Sequence, residues 1–522
     1  MLVRLPAALP AALLAALLAG LLAAGCSGTP GVAPGGEPTA AAPASPSTPP
    51  SPSPSPSPEP QPVPVPFAWS ECGSGFTCAS LPVPLDRDAP SAGSIDLALL
   101  RRPATGERLG SLVVNPGGPG ASAVAWLRAA WESVPEPVRA RFDVVAVDPR
   151  GVGDSERVRC VTTQEMDALV ALDPDPDDAA ELAALQDGNR RFAAGCTARS
   201  ARVLPHVSTE QVARDLDLLR ASLGDPGLTY LGYSYGTSIG LQYLRLFPDR
   251  VRALVLDSPV DPTLAWDDLL GGQARGFDAA LAAFLADCEV VRCAFRRAVD
   301  GDLLAAYDAL AARVEQRPLP GDGARTVGPG ELSLGAGAAL YSRASGWPAL
   351  AAALAAAVRG DGSGLLALSD AYLDRTEDGY AGTSEANLAV NCLDRPWPRD
   401  ARPYLDLAEQ VRATAPRFGP AIALSGLACA AWPVAPVGEP GPVRAEGAPP
   451  VVVLGTTRDP ATPHAWAVAV DRQLAASVLL SVDGDGHTVY RAGAPACVRE
   501  PVDAYLLELR VPEGATCPAV GR

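Results

Sequence analysis

Gly227-Leu228-Thr229-Tyr230-Leu231-Gly232-Tyr233-Ser234-Tyr235-Gly236 is a short β-type segment that runs straight into Gly-x-Ser-x-Gly. The pattern reads as a strand that ends, a sharp turn at Ser234 and a helix that begins. Small residues two before and two after the serine, Gly232 and Gly236, let neighbouring backbone come close. The serine hydroxyl is thereby pushed out of a packed sheet, and the helix start behind it aims N–H groups at any developing negative charge.

Three fixed positions in a Gly- and Ser-rich chain mean little without a base and an acid downstream. The chain holds three histidines, His206, His464 and His487. On this strand–turn–helix plan the partners follow in the order Ser, Asp/Glu, His, which sets His206 aside. Val451-Val452-Val453-Leu454-Gly455 reads as a buried parallel strand, with Asp459 on the loop leaving it. Ser477 to Val482 reads as the next strand, and the loop Asp483-Gly484-Asp485-Gly486-His487 leaves it. Groups on loops beyond the carboxyl ends of parallel strands converge on one crevice, which makes Ser234, Asp459 and His487 the candidate catalytic set. His464 reads as a helix-cap or rim residue. Asp485 and, more seriously, Asp257 at the end of the run Val251–Leu256 are rival acids.

These residue types suit one chemistry. Serine needs a base to take its proton and return it to a leaving group, and a buried carboxylate fixes the useful imidazole tautomer. The tetrahedral oxyanion needs two preorganised donors. The Tyr235 amide, just after the nucleophile, is one. The loop Asn115-Pro116-Gly117-Gly118-Pro119-Gly120, after the strand Leu112-Val113-Val114, offers the other at Gly118, with Gly117 as its competitor.

At this point the chain resembles the secreted tripeptidyl aminopeptidases of actinobacteria, in the α/β-hydrolase superfamily close to the prolyl iminopeptidases. The likeness rests on Asn115–Gly120, on Phe142–Ser155 with its Asp148-Pro149-Arg150-Gly151 turn, on Tyr230–Gly240, and on Val451–His487. It implies an α/β fold with a mostly parallel sheet flanked by helices and an inserted, mainly helical cap. It also implies release of short peptides from free N-termini through an acyl-enzyme. An esterase or lipase-like hydrolase using the same three residues is the alternative, and an inactive surface binding protein on the same fold is the more remote one. An aminopeptidase must hold an α-ammonium group. The stretch Glu385 to Asp394 is the candidate source, through Asp394 or Glu385, against the alternative that these are solvent-facing or salt-bridged carboxylates.

The remaining sequence divides around that core. Residues 1–26 read as an export signal ending in Leu22-Ala23-Ala24-Gly25-Cys26, with Cys26 as a lipidation site and an uncleaved membrane anchor as the alternative. Residues 27–66 are a Pro/Ser-rich tether that cannot bury a core. Residues 67–262 and 445–522 read as the α/β core. Residues 263–444 read as the helical cap, inserted after the sixth strand, with apolar residues at helical spacing such as Phe277, Leu281 and Phe284. Setting Cys26 apart from the 11 cysteines leaves ten, an even number. Pairing of near neighbours gives Cys72–Cys78, Cys160–Cys196, Cys288–Cys293, Cys392–Cys429 and Cys497–Cys517, which suits an oxidising compartment, although spacing alone cannot fix connectivity.

No cysteine or histidine spacing has zinc-site form, so neither metal nor cofactor is expected. The net charge is −17, with arginine and no lysine, which argues against nucleic acid as a partner. The expected partners are a peptide or small ester, with a membrane met only through the N-terminus. Oligomeric state is open.

Overall fold

Apolar, β-branched runs too short for helices become the strands of one twisted sheet. The computed structural model describes residues 60–518. Its strands are β1 (Ser70–Glu71), β2 (Thr77–Pro84), β3 (Ser94–Arg102), β4 (Gly110–Asn115), β5 (Phe142–Val147), β6 (Leu228–Tyr233), β7 (Val251–Asp257), β8 (Leu319–Pro320), β9 (Thr326–Val327), β10 (Arg375–Thr376), β11 (Gly379–Tyr380), β12 (Val451–Arg458), β13 (Ser477–Asp485) and β14 (Ala515–Cys517). Ten of them form the main sheet, in the order β1-β2-β3-β5-β4-β6-β7-β12-β13-β14. Pairing is antiparallel from β1 to β5 and parallel from β5 onward. β8–β9 and β10–β11 are separate small hairpins.

Every residue of β4, β5 and β6 is buried, as strands covered by helices on both faces require. Alternation sorts their side chains. Leu112, Val114, Val144, Ala146 and Leu231 enter one core, while Val113, Val145 and Tyr230 enter the other. This second core runs without a break into the inserted helices, through residues such as Phe277, Leu350 and Phe418.

The insertion leaves β7 and returns at β12. It opens with the long helix Trp266–Val291 and closes with Gly419–Ser425 and Leu427–Ala430. It therefore follows the seventh strand in chain order, because the two-residue edge strand β1 adds one to the count. A second excursion, between β5 and β6, adds to the same layer. Its helices Thr163–Val170 and Ala179–Ser200, with the segment joining them, meet the insertion through Arg375–Asp167 and Arg412–Asp175 ion pairs and the Phe192–Trp432 ring contact. On sequence this segment reads as part of the α/β core, because nothing local distinguishes its helices from those that cover the sheet. The five expected disulfides are all present. Cys26 and most of the Pro/Ser-rich stretch lie outside the described residues. Among those described, no helix is long and apolar enough to cross a membrane.

The Asp148-Pro149-Arg150-Gly151 turn is structural. Arg150 is wholly buried and donates to both oxygens of Asp215 at 2.7 and 2.8 Å, and to the carbonyls of Pro84, Leu85 and His206. Asp148 accepts Ser122 Oγ at 2.8 Å and the amides of Val124 and Asp154 at 3.0 and 3.2 Å. It thus pins the start of the helix Ala123–Ala130, just beyond the glycine-rich loop. Burial raises its pKa to about 6.

Candidate active site

β6 ends at Tyr233, and Ser234 takes φ 52° and ψ −126° before the helix Tyr235–Leu246 begins. A non-glycine residue holds this conformation only where its surroundings enforce it. They do so here by close packing. A Cβ on Gly232 would lie 2.5 Å from the Gly236 carbonyl oxygen, and one on Gly117 would lie 2.6 Å from the Tyr233 carbonyl oxygen and 2.8 Å from Ser234 Cβ. The loop after β4 is therefore pressed directly onto the elbow.

That contact separates the two candidate donors. The Gly117 amide donates to Asn115 Oδ1 at 2.9 Å, whereas the Gly118 amide has no protein acceptor among the described residues. Tyr235 is the first residue of its helix, so its amide has no acceptor within the helix.

Asp459 and His487 meet on the loops beyond β12 and β13. His487 Nδ1 lies 2.8 Å from Asp459 Oδ2 and 2.9 Å from Oδ1. Asp459 Oδ1 also accepts the amides of Ala461 and Thr462, both at 2.9 Å. Thr462 Oγ1 donates to Asp459 Oδ2 at 3.1 Å and lies 3.3 Å from His487 Nδ1. The pair is almost fully enclosed, while His487 Nε2 is buried without a hydrogen-bond partner. The imidazole is thus oriented at one nitrogen and unengaged at the other.

Asp257, the rival acid, has a different position. Its backbone carbonyl accepts the Ser234 amide at 2.9 Å. Its carboxylate, wholly buried, accepts the amides of Val489 at 2.9 Å and Tyr490 at 2.7 Å. One residue therefore ties the Ser234 turn to the loop carrying His487. Burial raises its pKa, against those backbone hydrogen bonds and the nearby His487. Ser258 Oγ adds a contact to the Thr488 amide at 3.1 Å. Asp485, the other rival, is paired with Arg458 at 2.6 Å. His464 begins a helix and lies 2.8 Å from Ser481 Oγ, and His206 sits in a turn whose carbonyl accepts from Arg150.

The inserted layer reaches the site at two places. The His487 amide donates to the Tyr341 carbonyl at 2.9 Å, and the Tyr341 ring stands edge-on to the imidazole with centroids 5.2 Å apart. On the other side, Asn387 Nδ2 in the helix Thr383–Asp394 donates to the Pro119 carbonyl at 3.0 Å, so it holds the glycine-rich loop. Tyr341 carries no sequence signal, being an aromatic in an Ala-rich helix end. Asn387 lies inside the Glu385–Asp394 block and could have been singled out there.

Both candidate amine anchors lie on that helix. Asp394 is held by the Thr209 amide at 2.8 Å on one oxygen and by Thr209 Oγ1 on the other, and burial raises its pKa to about 6. Glu385 is buried, with Oε2 unpartnered, and faces Arg157 and Arg159. Burial raises its pKa too. Among the described residues, a grouping of metal-ligand type occurs at Asp177, Asp178 and Glu181. There Asp178 caps a helix by accepting the amides of Ala180 and Glu181.

Residues 110–318 match the family model described as alpha/beta hydrolase fold, and residues 415–517 match the one described as TAP-like protein. The chain is 38% identical to the serine protease Hip1 of Mycobacterium tuberculosis over 86% of its own length and 90% of that protein. It is 36% identical to the carboxylesterase B of the same organism, over 83% and 85%. It is 34% identical to the tripeptidyl aminopeptidase of Streptomyces lividans, over 84% of each.

Proposed function

Since the chain belongs to the TAP-like family of α/β-hydrolase fold proteins, we propose that it is an exported serine aminopeptidase releasing short peptides, tripeptides above all, from free N-termini. The observation that carries this reading is the buried Asp459–His487 pair with Nε2 unengaged, on a loop that Asp257 ties to the strained Ser234 turn.

In this reading Ser234 Oγ attacks the scissile carbonyl as His487 Nε2 takes its proton. Asp459 holds Nδ1–H and stabilises the imidazolium. The oxyanion is received by the amides of Gly118 and Tyr235, each worth about 3 kcal/mol in the transition state. His487 returns the proton to the departing amine, and a water it then activates releases the acyl group. Asp394 and Glu385 are the proposed amine anchors: both Asp394 oxygens are engaged by Thr209, whereas Glu385 Oε2 has no hydrogen-bond partner but Arg157 and Arg159 stand beside that carboxylate. Export, with Cys26 as lipid attachment point, is supported by the apolar N-terminal run and by ten paired cysteines.

A second reading, an esterase, is favoured by the similarity to a carboxylesterase. The purified protein and its Ser234→Ala variant separate the two. Ser234-dependent cleavage of a free-amine tripeptide anilide, but not of its N-acetyl form, is expected of the aminopeptidase. Cleavage of a short-chain ester alone would replace that reading with the esterase.

A further inference from the structure

A cavity of about 180 Å³ lies inside the inserted layer, where the β5–β6 excursion meets the helices after β7. Its apolar wall comes from both segments, with Met166, Leu169 and Phe192 on one side and Leu388, Phe418 and Ile422 on the other. No acidic, basic or histidine side chain lines it. A charged group placed there would lose its hydration with no counter-charge in return.

Two chains of contacts lead from the cavity toward the proposed catalytic residues, none of which lines it. Asn387 lines it and also holds the Pro119 carbonyl of the oxyanion loop. Tyr372, another lining residue, has its ring 6.5 Å from that of Tyr341, which in turn stands 5.2 Å from the His487 imidazole. Phe418 connects to the same point through Phe277, with ring centroids 5.8 and then 5.5 Å apart.

We propose that this cavity is the specificity pocket of the hydrolase site. It takes a neutral apolar group of leucyl or phenyl size on the acyl side of the scissile bond. The proposal rests on the hydrolase reading given above. An apolar cavity of about 150 Å³ accommodates a benzene ring, so the volume suits one such group. The acyl side follows from size. When a short piece is cut from a long chain, the leaving polypeptide must run out to solvent, and a cavity of about 180 Å³ has room for only one group of the short end. The absence of charge also places the α-ammonium group outside this pocket. The apolar group could be a peptide side chain or the acyl chain of an ester.

The test uses two substrate series on the full protein. One is free-amine tripeptide anilides ending in Ala, Leu, Phe or Trp. The other is nitrophenyl esters of acetic, hexanoic and phenylacetic acids. Ala421→Phe, whose half-buried parent residue lines the cavity, fills it, and Leu334→Ala widens it. The expected wild-type preference for the larger group is about tenfold or more in kcat/KM. Ala421→Phe abolishes it while the smallest substrate is still cleaved, and Leu334→Ala moves it toward still larger groups, such as Trp. Preference in the anilides identifies the ligand as a side chain, and preference in the esters alone identifies an acyl chain. Ser234-dependent turnover with no size preference in either series, or a preference neither variant alters, overturns the pocket and leaves the hydrolase reading intact. No Ser234-dependent turnover on any substrate overturns both. If Ala421→Phe does not fold, Leu334→Ala decides the matter.

Discussion

Asp257 Oδ2 accepts the Tyr490 amide at 2.7 Å, while the same residue's carbonyl accepts the Ser234 amide at 2.9 Å. The proposed base and nucleophile come from loops far apart in sequence, and Asp257 ties them together, one loop through its side chain and the other through its backbone. Asp257→Ala should lower kcat by about a hundredfold with little change in KM, the scale expected when reacting groups are displaced by about 1 Å. Asp257→Asn keeps one acceptor oxygen and should recover part of the loss. Steady-state kinetics on variants whose melting curves show a folded protein will check this. Equal effects on kcat from Ala and Asn, or an effect on KM alone, would remove the positioning role.

Asn387→Ala removes the bond to the Pro119 carbonyl. The proposed oxyanion donor, the Gly118 amide, itself stays, so the loss should be smaller than the hundredfold or more that follows deletion of a donor. About a tenfold fall in kcat is expected, for ester and anilide alike, because oxyanion stabilisation is common to both. An effect confined to one substrate class would mean that Asn387 acts by contacting substrate instead.

Arg150→Ala leaves the Asp215 carboxylate buried without its principal cation. Breaking a buried pair in this way costs about 3–5 kcal/mol. Urea unfolding should show that loss as a lower midpoint, with turnover per folded molecule unchanged. A change under about 1 kcal/mol would show that Arg87, which also pairs with Asp215, compensates fully.

Asp148 gives a pH dependence whose sign is fixed. Burial raises its pKa to about 6, above its value of 3.8 in an unfolded chain. The folded state therefore binds the proton more tightly. The resulting contribution to stability is complete below pH 3.8 and is lost as pH rises through about 6. Across that window the unfolding free energy of the wild type should fall relative to Asp148→Asn by up to about 3 kcal/mol, then run level. Parallel curves from pH 4 to pH 7 would contradict the shifted pKa.

Much of this arrangement is legible in sequence because each feature has a local cause. The β-branched runs become strands, Gly-x-Ser-x-Gly becomes the turn at Ser234, and strand-end loops carry Asp459 and His487. Asp257 is visible as an acid at a strand end. Pattern cannot say, however, whether such a carboxylate meets the imidazole or the backbone two residues beyond it. That depends on how the loop folds back. Gly117 and Gly118 differ only in which amide Asn115 engages, a local side-chain contact with no counterpart in composition. The helices Thr163–Val170 and Ala179–Ser200 fall within the stretch 67–262 that reads as core, and their junction with the inserted layer is set by tertiary ion pairs such as Arg375–Asp167.

The bond from the His487 amide to the Tyr341 carbonyl joins the proposed catalytic base to the main chain of the overlying layer. A side-chain contact there could be lost by mutation, whereas this one survives any substitution at position 341 that leaves the backbone in place. It also constrains how substrate can enter. Were the layer to swing up like a hinged door at this point, it would pull on the loop of the very histidine it uncovers. An opened molecule of that kind would be a disarmed one, and the bond couples assembly of the roof to competence of the floor.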